Sequence, residues 1–155
     1  LTRKNKSMRQ LFTHSALAFS LLLLISSCQK SDVIRDERSL DGTWLVTGIR
    51  SDRAYDFDGD GRTETDIYSN YNNCDRDIVI VFNRDGYGRM QQGCDAYWEN
   101  ISWRLSNNNP QLDIQLPNDD LNLAISQFDD YTIRGVDQVI IDGRSFQITY
   151  TLQRQ

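Results

Sequence analysis

Histidine is almost missing from this chain, and the place of the one copy matters. Among 155 residues only His14 is present, in an amino-terminal stretch that also holds Arg3, Lys4, Lys6 and Arg9 and no acid before residue 28. The rest of the chain therefore has no imidazole. That excludes Ser-His-Asp triads, His-activated cysteine nucleophiles and His-ligated zinc. Lysine is nearly as scarce, since Lys30 is the last one, and proline occurs twice, at Pro110 and Pro117. Residues 28–155 hold 13 basic against 22 acidic side chains, a net charge of -9 where the whole chain carries -5. Such a body repels phosphate, so nucleic acid is not an expected partner. Also absent beyond residue 40 is any sustained helical period. With 39% apolar and 25% charged residues, the composition is that of a folded chain, and the length suits one domain.

What is present begins with an address. Leu11–Ile25 reads LFTHSALAFSLLLLI behind the basic segment. It is shorter than the roughly 20 residues a bilayer span needs and fits the apolar region of a secretory signal. Met8-Arg9-Gln10 offers a more natural start for that signal than Leu1. The run ends Ile25-Ser26-Ser27-Cys28, which resembles the lipobox of bacterial lipoproteins. The resemblance implies cleavage before Cys28, a diacylglyceryl group on its sulfur and an acyl chain such as palmitate on the new amino terminus. Residues 1–27 are then a signal peptide and 28–40 a lipidated polar tether. Several acyl chains make attachment effectively permanent. The expected location is the bacterial cell envelope, anchored to the outer membrane, on either face.

From residue 41 onward short alternating segments replace helical patterns. Ile78, Ile80 and Phe82 share one face, and Ile101–Leu105, Leu112–Leu116 and Phe146–Leu152 alternate likewise. Asp85-Gly86 and Asp142-Gly143 are hairpin signals, and Asn107–Pro110 marks a looser corner. Eight strands are expected, near 42–50, 77–83, 86–92, 96–106, 111–116, 130–136, 137–142 and 145–153, with weak helix near Asp119–Gln127. Sequential hairpins of this kind make an all-β, antiparallel eight-stranded meander barrel. A two-sheet β-sandwich is the alternative.

Gly42-Thr43-Trp44 opens the first strand, followed by Asp56-x-Asp58-Gly59-Asp60-Gly61, Cys74, Asp85-Gly86, Cys94 and a strand with Trp103. In this order the body resembles the lipocalin-like domain of short bacterial lipoproteins, over roughly residues 40–153. The resemblance implies a barrel with Trp44 at its floor, covered by a basic residue near the last strand, either Arg154 or Arg134. It also implies a ligand cavity, for which Trp44, Tyr97, Trp98, Trp103 and Tyr150 are the candidates.

With Cys28 lipidated, Cys74 and Cys94 are an even pair in an oxidising compartment, and a structural disulfide is expected. Between the first two strands lie Asp56, Asp58 and Asp60 at the first, third and fifth positions and Gly61 at the sixth. This spacing matches the opening of an EF-hand-type calcium loop, with Arg62 offering a backbone carbonyl and Glu64 or Asp66 closing the site. Ile67 stands where an EF-hand has its bidentate glutamate, and no helices flank the loop, so a structural calcium loop is the better description. The paired acids Asp119-Asp120 and Asp129-Asp130 sit in no catalytic motif, and the protein is not expected to be an enzyme. Two functions remain: binding of a small apolar or amphipathic ligand in an open barrel, or a filled barrel that docks on or inhibits another envelope protein.

Overall fold

The computed structural model describes residues 39–94, 97–106 and 109–155. Alternation of apolar and polar residues becomes nine strands and one helical turn. They are β1 (Gly42–Tyr55), β2 (Glu64–Asp66), α1 (Ile67–Asn70), β3 (Ile78–Phe82), β4 (Tyr87–Gln92), β5 (Glu99–Ser106), β6 (Gln111–Gln115), β7 (Asp120–Phe128), β8 (Thr132–Ile141) and β9 (Arg144–Arg154). β1 and β3 to β9 pair in an antiparallel up-and-down order, and β9 returns to pair with β1. The result is a closed eight-stranded barrel, not a two-sheet sandwich. β2 is an extra strand laid on the far end of β1 through Arg50↔Asp66 and Tyr55↔Glu64.

Two local expectations are corrected. Asp119–Gln127 is not helical; β7 occupies it, with Leu121, Leu123 and Ile125 at alternate positions and Leu123 fully buried. The hairpin into β7 is tight, closed by Leu116 N–H on the Asp119 carbonyl at 2.9 Å across Pro117-Asn118. Conversely, 130–136 and 137–142 are one strand, because β8 pairs with β9 without a break from Thr132↔Gln153 to Ile141↔Arg144. Gly135 is accommodated within this strand because a Cβ there would stand 2.8 Å from Leu123 Cβ on β7. The count of eight survives since one missed strand offsets one split strand. At Asp142-Gly143 the hairpin signal holds: both residues have positive φ, 49° and 72°, as a two-residue I′ turn requires.

Strand β1 carries a bulge that keeps the interior apolar. Trp44 and Val46 face inward at even positions; the register with β9 then slips between Val46 and Gly48, and Ile49 and Ser51 face inward instead. One extra residue thus changes which parity is buried. The floor is packed solid with Trp44, Phe82, Leu112, Ile114, Leu123, Ile133 and Leu152, and Trp103 meets Phe82 edge-on at 5.5 Å.

The barrel's lower end is locked by Arg154. Its guanidinium lies 4.5 Å from the centroid of Trp44, which is 0% exposed and donates its indole N–H to the Leu40 carbonyl at 2.9 Å. Arg154 also donates to the carbonyls of Asp130 (2.7 Å), Asp41 (2.6 Å) and Ser39. Of the two basic candidates Arg154 covers the tryptophan; Arg134 is exposed on β8. Every strand of the barrel, its core and the cysteine pair lie within the described residues, which belong to one compact unit. A chain starting at residue 38 therefore contains the contacts that hold the barrel.

Arg154→Ala is expected to cost about 2 kcal/mol in denaturant unfolding, from the lost cation–π contact and carbonyl bonds, with Arg154→Lys recovering only part. At Gly42 φ is +133° and a Cβ would stand 2.6 Å from Arg154 Nη1. Gly42→Ala should therefore destabilise the wild type more than it destabilises Arg154→Ala; equal effects in the two backgrounds would refute the coupling.

Candidate functional site

The barrel's upper end is built differently. There the 56–77 insertion between β1 and β3 folds over the rim. Its aromatic residues anchor it: Tyr55, Phe57 and Phe146 meet edge-on with centroids 5.2 to 5.7 Å apart, and Ile67 is buried beneath α1. Asp66 starts α1 by accepting from Ser69 N–H at 3.1 Å and pairs with Arg50 at 2.7 Å. Arg76 draws the following loop together through the carbonyls of Tyr71 (2.8 Å) and Ser69, while Tyr68 donates to the Arg76 carbonyl at 3.0 Å. Cys74 and Cys94 are bonded, with Cα atoms 4.8 Å apart, so the insertion is fastened to the segment after β4. Closing a loop of this size removes roughly 3 kcal/mol of chain entropy from the unfolded state.

Between insertion and barrel wall lies a pocket of about 370 Å3. Ile49 of β1, Val139 and Ile141 of β8, and Ile148 and Tyr150 of β9 form one wall. Phe57, Ile67 and Tyr71 face them from the insertion, with Asp58, Glu64 and Asn70 at the edge. The apolar residues of the upper barrel thus find partners in the insertion, but not enough of them to fill the space.

Carboxylates set the potential here. Asp137 is the next inward position along β8 below Val139 and shares its face with Ile148 across the ladder. Burial raises its carboxyl pKa, the Gln138 N–H opposes this, and Asp119 adds to the rise. The Tyr150 phenol is pushed up to about 12, first by burial and then by Asp137, Tyr71 and Asp119. Burial and Asp75 raise Tyr71 in the same direction. In all three the largest cause is burial, which favours the neutral form. Glu64 accepts from Phe57 N–H at 3.0 Å through Oε1, while its Oε2 is buried without a hydrogen-bond partner among the described residues.

The expected cavity residues scatter. Tyr150 lines the pocket; Trp44 is the floor; Trp103 packs on Phe82 and donates to the Tyr87 carbonyl at 2.9 Å. Trp98 stacks under Arg89 at 4.4 Å, and Tyr97 is 72% exposed. The sequence reading missed Ile49, Phe57, Ile67, Tyr71, Val139, Ile141 and Ile148. A signal existed for the insertion's share: apolar Phe57, Ile67 and Tyr71 inside an acidic loop need a surface to lie on.

Of the six loop residues named for calcium, Asp56, Asp58 and Asp60 come together, with ligand oxygens within 4.8 Å of one another. Their side chains also curl the loop, accepting from the N–H groups of Gly59, Gly61, Asp60 and Arg62 at 2.7 to 3.1 Å. Glu64 turns to Phe57 and Asp66 to Arg50 and Ser69, as above. The acid pairs considered for catalysis serve turns: Asp129 accepts from the N–H groups of Tyr131 and Thr132. Cys28 and the signal segment lie outside the described residues.

A family described as a domain of unknown function (DUF5004) matches residues 26–153, so the chain belongs to that family. No curated protein and no solved structure matches.

The Tyr150 shift predicts a pH effect. Because its folded value of about 12 exceeds the unfolded value near 10, its contribution to stability is whole below pH 10 and is lost as pH rises towards 12. Tyr150→Phe should lose about 2 kcal/mol less than the wild type across that window, followed by denaturant unfolding at each pH.

Proposed function

We propose that this member of the DUF5004 family is a lipid-anchored, non-enzymatic binding protein of the bacterial cell envelope. A small apolar or amphipathic ligand occupies the barrel mouth, and a calcium loop supports the insertion above it. The observation that carries the reading is the 370 Å3 mouth pocket, largely apolar and walled by Ile49, Ile67, Val139, Ile141, Ile148 and Tyr150. Its volume falls in the range of small-molecule sites. Below it lie the fully buried side chains of Trp44, Leu123, Ile133 and Leu152, so the ligand sits in the upper half. What supports a lipocalin likeness is the up-and-down closed order together with the Gly42-Thr43-Trp44 start and Arg154 over the indole. Anchoring rests on the lipobox at Ile25–Cys28, through an acyl and diacylglyceryl lipid on Cys28 that holds the protein at the outer membrane.

Occupancy of the pocket is tested with a neutral apolar fluorophore, N-phenyl-1-naphthylamine, and the 38–155 chain. Wild type is expected to bind it with a rise in emission. Ile141→Trp, which fills the pocket from the rim, should weaken binding by at least about tenfold, or about 1.4 kcal/mol, with its circular dichroism unchanged. Equal binding by both proteins would place the probe elsewhere and sink the reading.

For the cation, the fit lies in the three convergent aspartates, whose repulsion a hard divalent ion relieves. Saturating calcium should raise the melting temperature by several degrees, since ligand at about 100 times Kd stabilises by about 2.7 kcal/mol. The double substitution Asp58→Asn and Asp60→Asn should abolish the rise. A wild-type melting temperature indifferent to calcium would end the proposal.

A further inference from the structure

The mouth pocket is apolar in its walls but carries one sign of charge. Asp58 and Glu64 line its edge, Asp137 is the next inward residue beyond Val139, and none of the lining residues is basic. Of the arginines of neighbouring segments, Arg50 pairs with Asp66, Arg53 with Asp52 and the Ser145 carbonyl, and Arg76 with the carbonyls of Ser69 and Tyr71, while Arg62 and Arg144 are exposed on the insertion and at the start of β9. Glu64 makes the case sharper. One of its oxygens is held by Phe57 N–H, while the other is buried with no donor among the described residues. A buried acceptor without a partner costs the desolvation of that group, and native structures rarely leave one unexplained. Three aromatic residues, Phe57, Tyr71 and Tyr150, line the same pocket, and an aromatic face attracts a cation.

We infer that the pocket selects an organic cation with an apolar body, an alkyl or aryl ammonium whose N–H group reaches Glu64 while its hydrocarbon lies against Ile49, Val139, Ile141 and Ile148. An anionic amphiphile such as a fatty carboxylate is the ligand this mouth rejects. Its headgroup would bring a further negative charge beside Glu64 and would leave Glu64 Oε2 unpaired. The inference rests on the ligand-binding reading above and adds to it the sign of the ligand's charge.

The test displaces the bound neutral fluorophore from the 38–155 chain with three ligands of one chain length, decylamine, decanol and decanoate, each below its micelle concentration. It is run at neutral pH and low ionic strength, where exposed charges are least screened. Decylamine is expected to displace at a concentration at least about tenfold below that of decanoate, with decanol between them. Glu64→Gln should weaken decylamine about three- to tenfold and leave decanol unchanged, and raised salt should narrow the gap between amine and carboxylate. Decanoate competing as well as decylamine would overturn the charge selectivity while leaving the pocket reading intact. A Glu64→Gln protein that weakens all three alike would overturn the role of Glu64. Failure of the wild type to bind the neutral fluorophore at all would be a failure of the pocket reading itself, and is distinguishable from both.

Discussion

Arg154 lies over the indole of Trp44 and at the same time donates to the carbonyls of Ser39, Asp41 and Asp130. One side chain from the last strand thus ties together the segment before the first strand, the first strand itself and the turn between β7 and β8. A barrel closes only if its first and last strands stay in register, and here the register runs from Trp44↔Arg154 to Ser51↔Ile148. The stacked pair fixes one end of that seam. It also makes two otherwise odd features necessary. Gly42 has no side chain because the guanidinium occupies the space, and the buried Trp44 indole N–H is satisfied by the Leu40 carbonyl of the segment that Arg154 holds in place.

Fixing one end solid leaves the other free to differ. Large side chains fill the floor, and the β1 bulge then turns Ile49 inward so that the wall stays apolar up to the rim. At the rim the apolar surface needs a cover, and the 56–77 insertion supplies it. That segment has little regular structure of its own, four helical residues and a three-residue strand. Its order comes instead from cross-links: the aromatic trio of Tyr55, Phe57 and Phe146, the Arg76 carbonyl bonds and the Cys74–Cys94 bridge. A cover held at a few points leaves room beneath it, whereas a continuous sheet would have packed flat. The pocket is a consequence of how the insertion is attached.

Strands with a clean two-residue alternation and a turn dipeptide at each end were legible in the sequence, as Ile78–Phe82 and Phe146–Leu152 show. Their side-chain pattern and their burial are the same fact seen twice. β7 also alternates, at Leu121, Leu123 and Ile125, but its flanking Asn118-Asp119 and exposed Gln127 resemble a capped helix, and only pairing with β6 and β8 decides the matter. The pocket was the least legible part, because it joins residues up to about a hundred positions apart, Ile49 to Tyr150, through long-range pairing that no local period reports. Of the aromatic residues named as its lining, Tyr150 alone is in it, and Trp44 stands on a pocket strand but at its other end. Trp98 and Trp103 sit elsewhere because strand parity and Arg89 and Phe82 claim them first.

Local rules are obeyed almost everywhere in this barrel and broken together at its mouth. Asp137 takes an inward position that every other rule of the strand would give to an aliphatic residue, and Glu64 buries an oxygen without a donor. Tyr150 is held among carboxylates in a site that burial alone already makes unfavourable for charge. Each departure lowers stability; replacing any one with an apolar residue of similar volume would satisfy the fold better. Two of them, Glu64 and Tyr150, line one cavity, and Asp137 is the next inward position on β8 beyond it, so departures from the rules of the fold gather where such departures mark functional sites.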